Sequence, residues 1–328
     1  MATLPASLKS ILRTRVQRSY PLTCGKYMAR NLQIQLREAV GDWSTDRTGV
    51  QNTERTVADA AAYVDEVFED YKTYGGVRRF HGRVAEVGPG DNCGVGLRFL
   101  LDGAEAVDLV DRFDCARDLE KNAALYRLLE DRARVDGSRV SIVDGEPRVR
   151  DLRWHRGPKA AVEEFFSTPN TYDWIVSRAV LEHVNDPATG LRRMAAALRP
   201  GGMLLHKVDL RDHNMFSGHF HDLKFLEVPE PVYFAMTHRS GFPNRVLANV
   251  YRDTLQSLPN LDVTMLVTHL AGVGPVTPHV PFDDIAVAQR ERALSFVQAH
   301  RHRFAAKFAA VSDAELATAG LFIVATKR

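Results

Sequence analysis

The chain has 328 residues, 45% hydrophobic and 26% charged, which places it among ordinary globular proteins and excludes disordered and fibrous classes. With 43 Lys and Arg against 41 Asp and Glu, no overall field favours nucleic acid as a partner. Three cysteines without a Cys-x-x-Cys pair argue against a disulfide framework or a zinc ribbon, and no apolar run reaches the ~20 residues of a membrane span or forms a signal-peptide core. The expectation is a soluble protein of a reducing, cytoplasmic compartment.

The N-terminal stretch is basic. Seven Lys and Arg residues lie between Met1 and Arg37, with no acid before Glu38. Leu8, Ile11, Leu12 and Val16 have helical spacing, so part of this arm reads as a basic amphipathic helix. A helix packed on the main domain is the simplest reading. Peripheral contact with an anionic membrane and a cleaved transit peptide are the alternatives.

After a polar stretch, Val57, Ala60, Ala61, Val64, Val67 and Phe68 predict a helix from Thr53, as N-cap, to about Tyr74, closed by Gly75-Gly76. From there strand-like and helix-like segments alternate, as in a sheet with helices on both faces. Residues 83–87 read as the first strand, followed by Gly88-Pro89-Gly90-Asp91-Asn92-Cys93-Gly94 and a helix to about Leu101. A second strand, 106–110, closes on Asp111. A helix over about 115–134 leads to a third strand, 140–143, closing on Asp144. The fourth strand is expected at 172–177, a helix at 191–198, and the fifth strand at 203–208 after Pro200-Gly201-Gly202. A helix over about 244–258, a strand at 261–270 and a last strand at 321–326 follow. The expected fold class is α/β: a doubly wound, seven-stranded sheet with its last strand antiparallel. In this reading residues 1–76 form a helical segment and 77–328 the main domain, with insertions at 214–243 and 271–319.

The strongest local signal is Glu86-Val87-Gly88-Pro89-Gly90-x-x-x-Gly94 between a strand and a helix. Glycines there let backbone amides approach a ligand, and the helix start offers free N–H groups. The spacing is one residue longer than the dinucleotide fingerprint, and Glu86 precedes it. A pyrophosphate would be repelled by that acid, whereas a ligand carrying an ammonium or sulfonium would tolerate it. Asp111 ends the next strand, where a carboxylate can take both ribose hydroxyls, and Asp144 is positioned in sequence for an adenine amino group.

These residues resemble a class I S-adenosylmethionine-dependent methyltransferase over about Val77 to Val208. Glu86 to Gly94 resembles the family's first motif, and Val107 to Phe113 its second. Tyr172 to Val184 resembles its fourth strand with the following loop, and Leu198 to Gly202 its turn into strand five. The resemblance implies a Rossmann-like methyltransferase sheet with S-adenosylmethionine held by Glu86, Gly88, Pro89, Gly90, Asp91, Gly94, Asp111, Arg112, Asp144, Gly145, Ser177, Arg178 and Glu182.

The segment after strand four, Ser177-Arg178-Ala179-Val180, lacks the Asn/Asp-Pro-Pro-Tyr/Phe signature of base N-methylation, so a small-molecule or glycan acceptor is expected. Asp209-x-x-Asp212-His213, Leu223-Lys224-Phe225-Leu226 and Gly241-Phe242-Pro243-Asn244-Arg245 are similar to a bacterial subgroup linked to polysaccharide and glycolipid assembly. That resemblance implies an O-methyltransferase acting on a sugar hydroxyl. Transfer to a non-sugar phenol, carboxylate or amine, and non-catalytic binding of S-adenosylmethionine, are the competing readings.

A sugar hydroxyl is barely ionised at neutral pH and calls for a general base. His213, oriented by Asp212 or Asp209, is the first candidate and His183 the second. Asp209, His219, His221, Asn244 and Arg245 are the candidate acceptor-binding residues. If a metal takes part, Mg²⁺ on Asp209, Asp212 and His213 is the expected arrangement, though catalysis without it is simpler. His300 and His302 read as surface residues.

Overall fold

In the computed structural model the described residues are 18–45, 55–134, 137–238 and 240–328. The strands, in chain order, are β1 (Ser44–Thr45), β2 (Arg83–Val87), β3 (Ala106–Asp111), β4 (Asp114–Cys115), β5 (Val140–Val143), β6 (Glu146–Val149), β7 (Leu152–Arg156), β8 (Tyr172–Arg178), β9 (Leu198–Asp209), β10 (Leu261–Leu270), β11 (Gly274–Val280) and β12 (Thr318–Lys327). Eight of them form one mixed sheet in the order β11-β10-β12-β9-β8-β2-β3-β7. The pairs β2–β3, β2–β8, β3–β7 and β8–β9 are parallel, and β11 makes an antiparallel edge on β10.

The sheet therefore has eight strands, not seven, and two of its members were not expected. β11 lies inside the second insertion and supplies the antiparallel edge, while the last strand, β12, runs between β10 and β9. The segment 140–143 is not in this sheet. It pairs antiparallel with β6 in a separate hairpin whose two-residue turn is Asp144-Gly145, with φ of 52° and 78°. Asp-Gly with positive φ at both central residues is the strongest short hairpin signal, and it outweighs the reading of Asp144 as a strand end. β7 takes the place beside β3 instead.

Contacts divide the described chain into two compact units. One combines residues up to Asp42 with Asp209–Tyr251 and Leu266–Leu321; the other combines Trp43–Val208, Arg252–Met265 and Phe322–Arg328. In the second, helix Val57–Gly75 starts at Thr56, whose hydroxyl oxygen accepts from the Asp59 amide at 3.2 Å, and stops at Gly76 with φ 65°. The N-cap is thus Thr56; Thr53 lies outside the described residues. The helix buries Ala60, Ala61, Val64, Val67, Phe68 and Tyr71. Phe68 and Phe80 pack on Phe99, and Phe80 on Trp174, with ring centroids 4.6–5.6 Å apart.

In the first unit, helix Tyr20–Ala39 is tied to helix Glu230–Thr237 and the residue after it. Asn31 Nδ2 donates to Ala235 O at 2.9 Å and Gln35 Nε2 to His238 O at 3.0 Å. Tyr27 meets Phe242 edge-on at 5.0 Å. Leu8, Ile11, Leu12 and Val16, the start of the expected basic helix, lie outside the described residues. Among the described residues no helix is long and apolar enough to cross a membrane.

Candidate active site

The parallel strands of the second unit end side by side, and the loops that follow them carry the candidate cofactor residues. Val87 pairs with Val110 on one side and with Ser177 on the other, and Asp111 pairs with Arg156. Gly88 and Gly90 have φ of 70° and 73°, a region that disfavours any side chain. A Cβ on Gly88 would lie 2.3 Å from Val180 Cγ2, so this glycine also lets the loops after β2 and β8 close on one another.

Glu86 is 7% exposed, and its Oε2 is buried without a hydrogen-bond partner. Burial pushes its pKa up to about 8, against a hydrogen bond from the Gly96 amide. Asp111 is pulled up to about 6, again mainly by burial, with the Phe113 and Gly90 amides working the other way. Two carboxyls at the ends of adjacent strands are thus held where their ionised forms lack enough support. A ligand bringing positive charge and hydroxyl donors would supply it. Arg112 lies over the rings of Trp43 and Phe113, at 5.1 and 5.3 Å.

Several residues of the expected set have other occupations. Asp91 is buried beneath the loop, with Asn92 Nδ2 on its Oδ1 at 3.1 Å and Asn122 Nδ2 on its carbonyl at 2.7 Å. The Gly94 amide is taken by Asn92 Oδ1 at 2.8 Å, and a Cβ there would meet Val64 Cγ2 at 2.7 Å. Gly94 therefore serves the close packing of two helices rather than amide donation to a ligand. Ser177 is fully buried, with its hydroxyl 2.8 Å from His206 Nδ1. His206, wholly buried, is pushed down to about 3 by desolvation, so its ring stays neutral at physiological pH.

Arg178 departs furthest from expectation. Its guanidinium binds Asp70 Oδ2 and Glu66 Oε1, each at 2.6 Å, on helix Val57–Gly75. Asp70 also takes Lys207 Nζ at 2.8 Å. A side chain committed to two acids braces the end of β8 on that helix. Ala179, next in sequence, has φ 54°, an uncommon conformation for a residue with a Cβ, and Glu182 and His183 follow in the turn Leu181–His183. Asp144 and Gly145 sit exposed at the tip of the β5–β6 hairpin. The strand end beside Asp111 carries Arg156 instead, lying over Trp154 at 4.0 Å and 3.3 Å from Asp114 Oδ1. The period-two alternation Leu152-Arg153-Trp154-His155-Arg156 was the signal that could have found it.

The first unit holds the candidate acceptor residues. His213 Nε2 is 3.5 Å from Asp209 Oδ2, and Arg211 grips the same carboxylate at 2.7–2.8 Å. Burial acts to raise the pKa of Asp209, but the hydrogen bonds from His213 and Arg211 prevail and hold it well below the usual carboxylate range. Asp212 does not orient His213. It is fully buried, and its oxygens accept from the Asn214, Phe216 and Ser217 amides and the Ser217 hydroxyl at 2.5–3.0 Å. Those bonds leave Asp212 with no lone pairs well placed for Mg²⁺, so the trio Asp209, Asp212 and His213 is not presented as a ligand set.

Arg245 is likewise structural: its side chain is 0% exposed, donates to Phe225 O and Val228 O, and pairs with Glu230. Asn244 Oδ1 accepts from the Val246 amide at 2.9 Å. His219 is exposed, whereas His221 is paired with Glu227 at 2.7 Å.

The parallel sheet with its carboxylate-flanked glycine loop defines a Rossmann-like methyltransferase. A family model described as a methyltransferase domain matches residues 67–254, more than half of the chain, and the chain belongs to that family. No curated protein matches the sequence. Among solved structures it is similar to Haemonchus contortus phosphoethanolamine N-methyltransferase 2, with 16% identity, 86% of this chain and 58% of that one covered, and a TM-score of 0.43. It is also similar to an S-adenosylmethionine-dependent methyltransferase of Mesorhizobium loti (13% identity, 81% and 100% covered, TM-score 0.40) and to the YcgJ protein of Bacillus subtilis (11%, 81% and 98%, 0.39).

Proposed function

We propose that the protein is an S-adenosylmethionine-dependent O-methyltransferase whose acceptor is a hydroxyl of a sugar or of a glycolipid or polysaccharide precursor. The cofactor assignment rests on the buried, unpartnered Glu86 oxygen beside the positive-φ glycines 88 and 90, with Asp111 at the next strand end. These residues fit S-adenosylmethionine, which when bound supplies an already activated methyl group. Glu86 holds its cationic end, Asp111 accepts from the ribose hydroxyls, and the open Gly88–Gly90 loop lets the backbone approach.

Positioning then does most of the remaining work. His213 accepts the acceptor hydroxyl's proton, and Asp209, kept ionised by Arg211, holds the imidazole in one orientation. The sugar class is supported by the similarity of residues 204–250 to enzymes of polysaccharide and glycolipid assembly, and Mg²⁺ has no part in the proposal.

Calorimetry with S-adenosylhomocysteine tests the first half, and transfer of labelled methyl to a panel of sugar nucleotides, lipid-linked saccharides, phenols, carboxylates and amines tests the second. Absence of S-adenosylhomocysteine binding overturns the cofactor assignment. Transfer confined to the non-sugar acceptors overturns the acceptor class.

A further inference from the structure

His221, Glu227 and His300 come together within the first unit; His221, a candidate acceptor-binding residue in the sequence, is paired with Glu227, and the proposed transfer step assigns none of the three a role. His221 and Glu227 are brought face to face by the turn Lys224–Glu227, and His300 lies in the last turn of helix Val287–Arg301. His221 Nε2 is 2.7 Å from Glu227 Oε1, and the two imidazoles stack at 3.8 Å with 10° between their planes. One ring nitrogen from each histidine and one glutamate oxygen all lie within 4.8 Å of one another. Nδ1 of His221 and Nδ1 of His300 are both buried without a hydrogen-bond partner. A buried ring nitrogen with no partner lowers stability unless something takes its lone pair, and here two occur in stacked rings.

We propose that His221, Glu227 and His300 form a binding site for a divalent ion of the zinc type, which ties the 221–227 turn to helix Val287–Arg301. Two imidazoles and one carboxylate are a borderline N/O donor set, suited to Zn²⁺ or Co²⁺ and poor for Mg²⁺, which prefers oxygen ligands throughout. With bonds of about 2.0–2.1 Å, tetrahedral ligand atoms stand about 3.3 Å apart. Ligation requires the two imidazoles to turn out of their stack until their lone pairs converge on one point. Lys224 Nζ already holds Glu227 Oε2 at 2.5 Å, which leaves Oε1 as the metal ligand and fixes the carboxylate's direction. Three protein ligands leave the fourth position to water.

The proposed transfer step uses none of His221, Glu227 and His300, so the metal test does not depend on the proposed activity. Chelator-stripped full-length protein is titrated calorimetrically with Zn²⁺ and, in parallel, with Co²⁺ followed by visible absorption. The expected result is one ion per chain, visible bands of four-coordinate Co²⁺, and no heat with Mg²⁺. His221→Ala and His300→Ala should each weaken Zn²⁺ binding at least tenfold and abolish the Co²⁺ bands, with metal-free circular dichroism unchanged. Glu227→Gln keeps the side-chain shape and should weaken Zn²⁺ binding at least tenfold as well, which covers the case of a histidine variant that fails to fold. Absence of Zn²⁺ binding by the wild type, or unchanged affinity in Glu227→Gln or in a folded double histidine variant, overturns the site.

Discussion

The backbone amide of Gly88 donates a hydrogen bond to the carbonyl of Val110 at 2.8 Å. This bond joins the loop after β2 to the end of β3, so the glycine loop is positioned by its neighbouring strand as well as by its own φ values. Asp111, next in the chain after Val110, holds the Phe113 amide at 2.9 Å through Oδ1. The strand end that carries the acid therefore also fixes the loop beside it.

Asp111→Ala should weaken S-adenosylhomocysteine binding by more than a hundredfold, since loss of charge-assisted hydrogen bonds costs on the order of 3 kcal/mol. Titration calorimetry measures it, with circular dichroism as the fold check. An unchanged affinity removes Asp111 from the ribose position.

Glu86 predicts a pH dependence of binding. Burial raises its pKa from 4.5 to about 8, so in the free protein it is protonated at neutral pH. A cationic ligand favours the ionised form, so binding of S-adenosylmethionine should release a proton below about pH 8. Affinity should rise with pH by up to about tenfold per unit, then level off. Folding responds in the opposite sense. The folded chain holds this proton more tightly than the unfolded one, so the group's contribution is full below pH 4.5 and is lost as pH rises through about 8. Glu86→Gln should flatten both profiles; calorimetry and urea unfolding across pH 5–9 read them.

His213→Ala should lower turnover by roughly a hundredfold or more while leaving S-adenosylhomocysteine affinity within twofold. Asp209→Asn should lower turnover less, because the imidazole remains but loses the carboxylate that orients it. Added Mg²⁺ should change neither rate. Full turnover by His213→Ala in the labelled-methyl assay would discard the base assignment.

Asp212 and Arg245 should behave as stability residues. Asp212→Ala strands the Asn214, Phe216 and Ser217 amides and should cost about 3 kcal/mol in urea unfolding. Arg245→Met strands the Phe225 and Val228 carbonyls and should cost about 3–5 kcal/mol. Turnover per folded molecule should stay within a few-fold for each. A large loss of turnover at unchanged stability would return the residue to the site.

Asp144→Ala should leave S-adenosylhomocysteine affinity within twofold, because the side chain sits at an exposed hairpin tip. A tenfold loss in calorimetry would contradict that placement.

What the sequence determined by itself is local. The apolar runs of β2, β3 and β8, the glycines at 88 and 90 and the acids at 86 and 111 each belong to a short continuous segment of the chain. Their spacing alone marks a strand, a tight loop and a carboxylate at a strand end. Pairing decided the rest. Residues 140–143 and 152–156 are both short strand-like segments after β3, and the Asp144-Gly145 turn sends the first into a hairpin and leaves the second to join the sheet. Charged side chains were the least legible. Arg178 is claimed by Asp70, 108 residues earlier, and Arg245 is buried against carbonyls 17 and 20 residues away. His300, which reads as a surface residue, is stacked on His221 across the chain. A short polar motif identifies the groups available for chemistry. Only tertiary folding settles which of them are already consumed, because a buried charge must find its partner wherever the chain brings one.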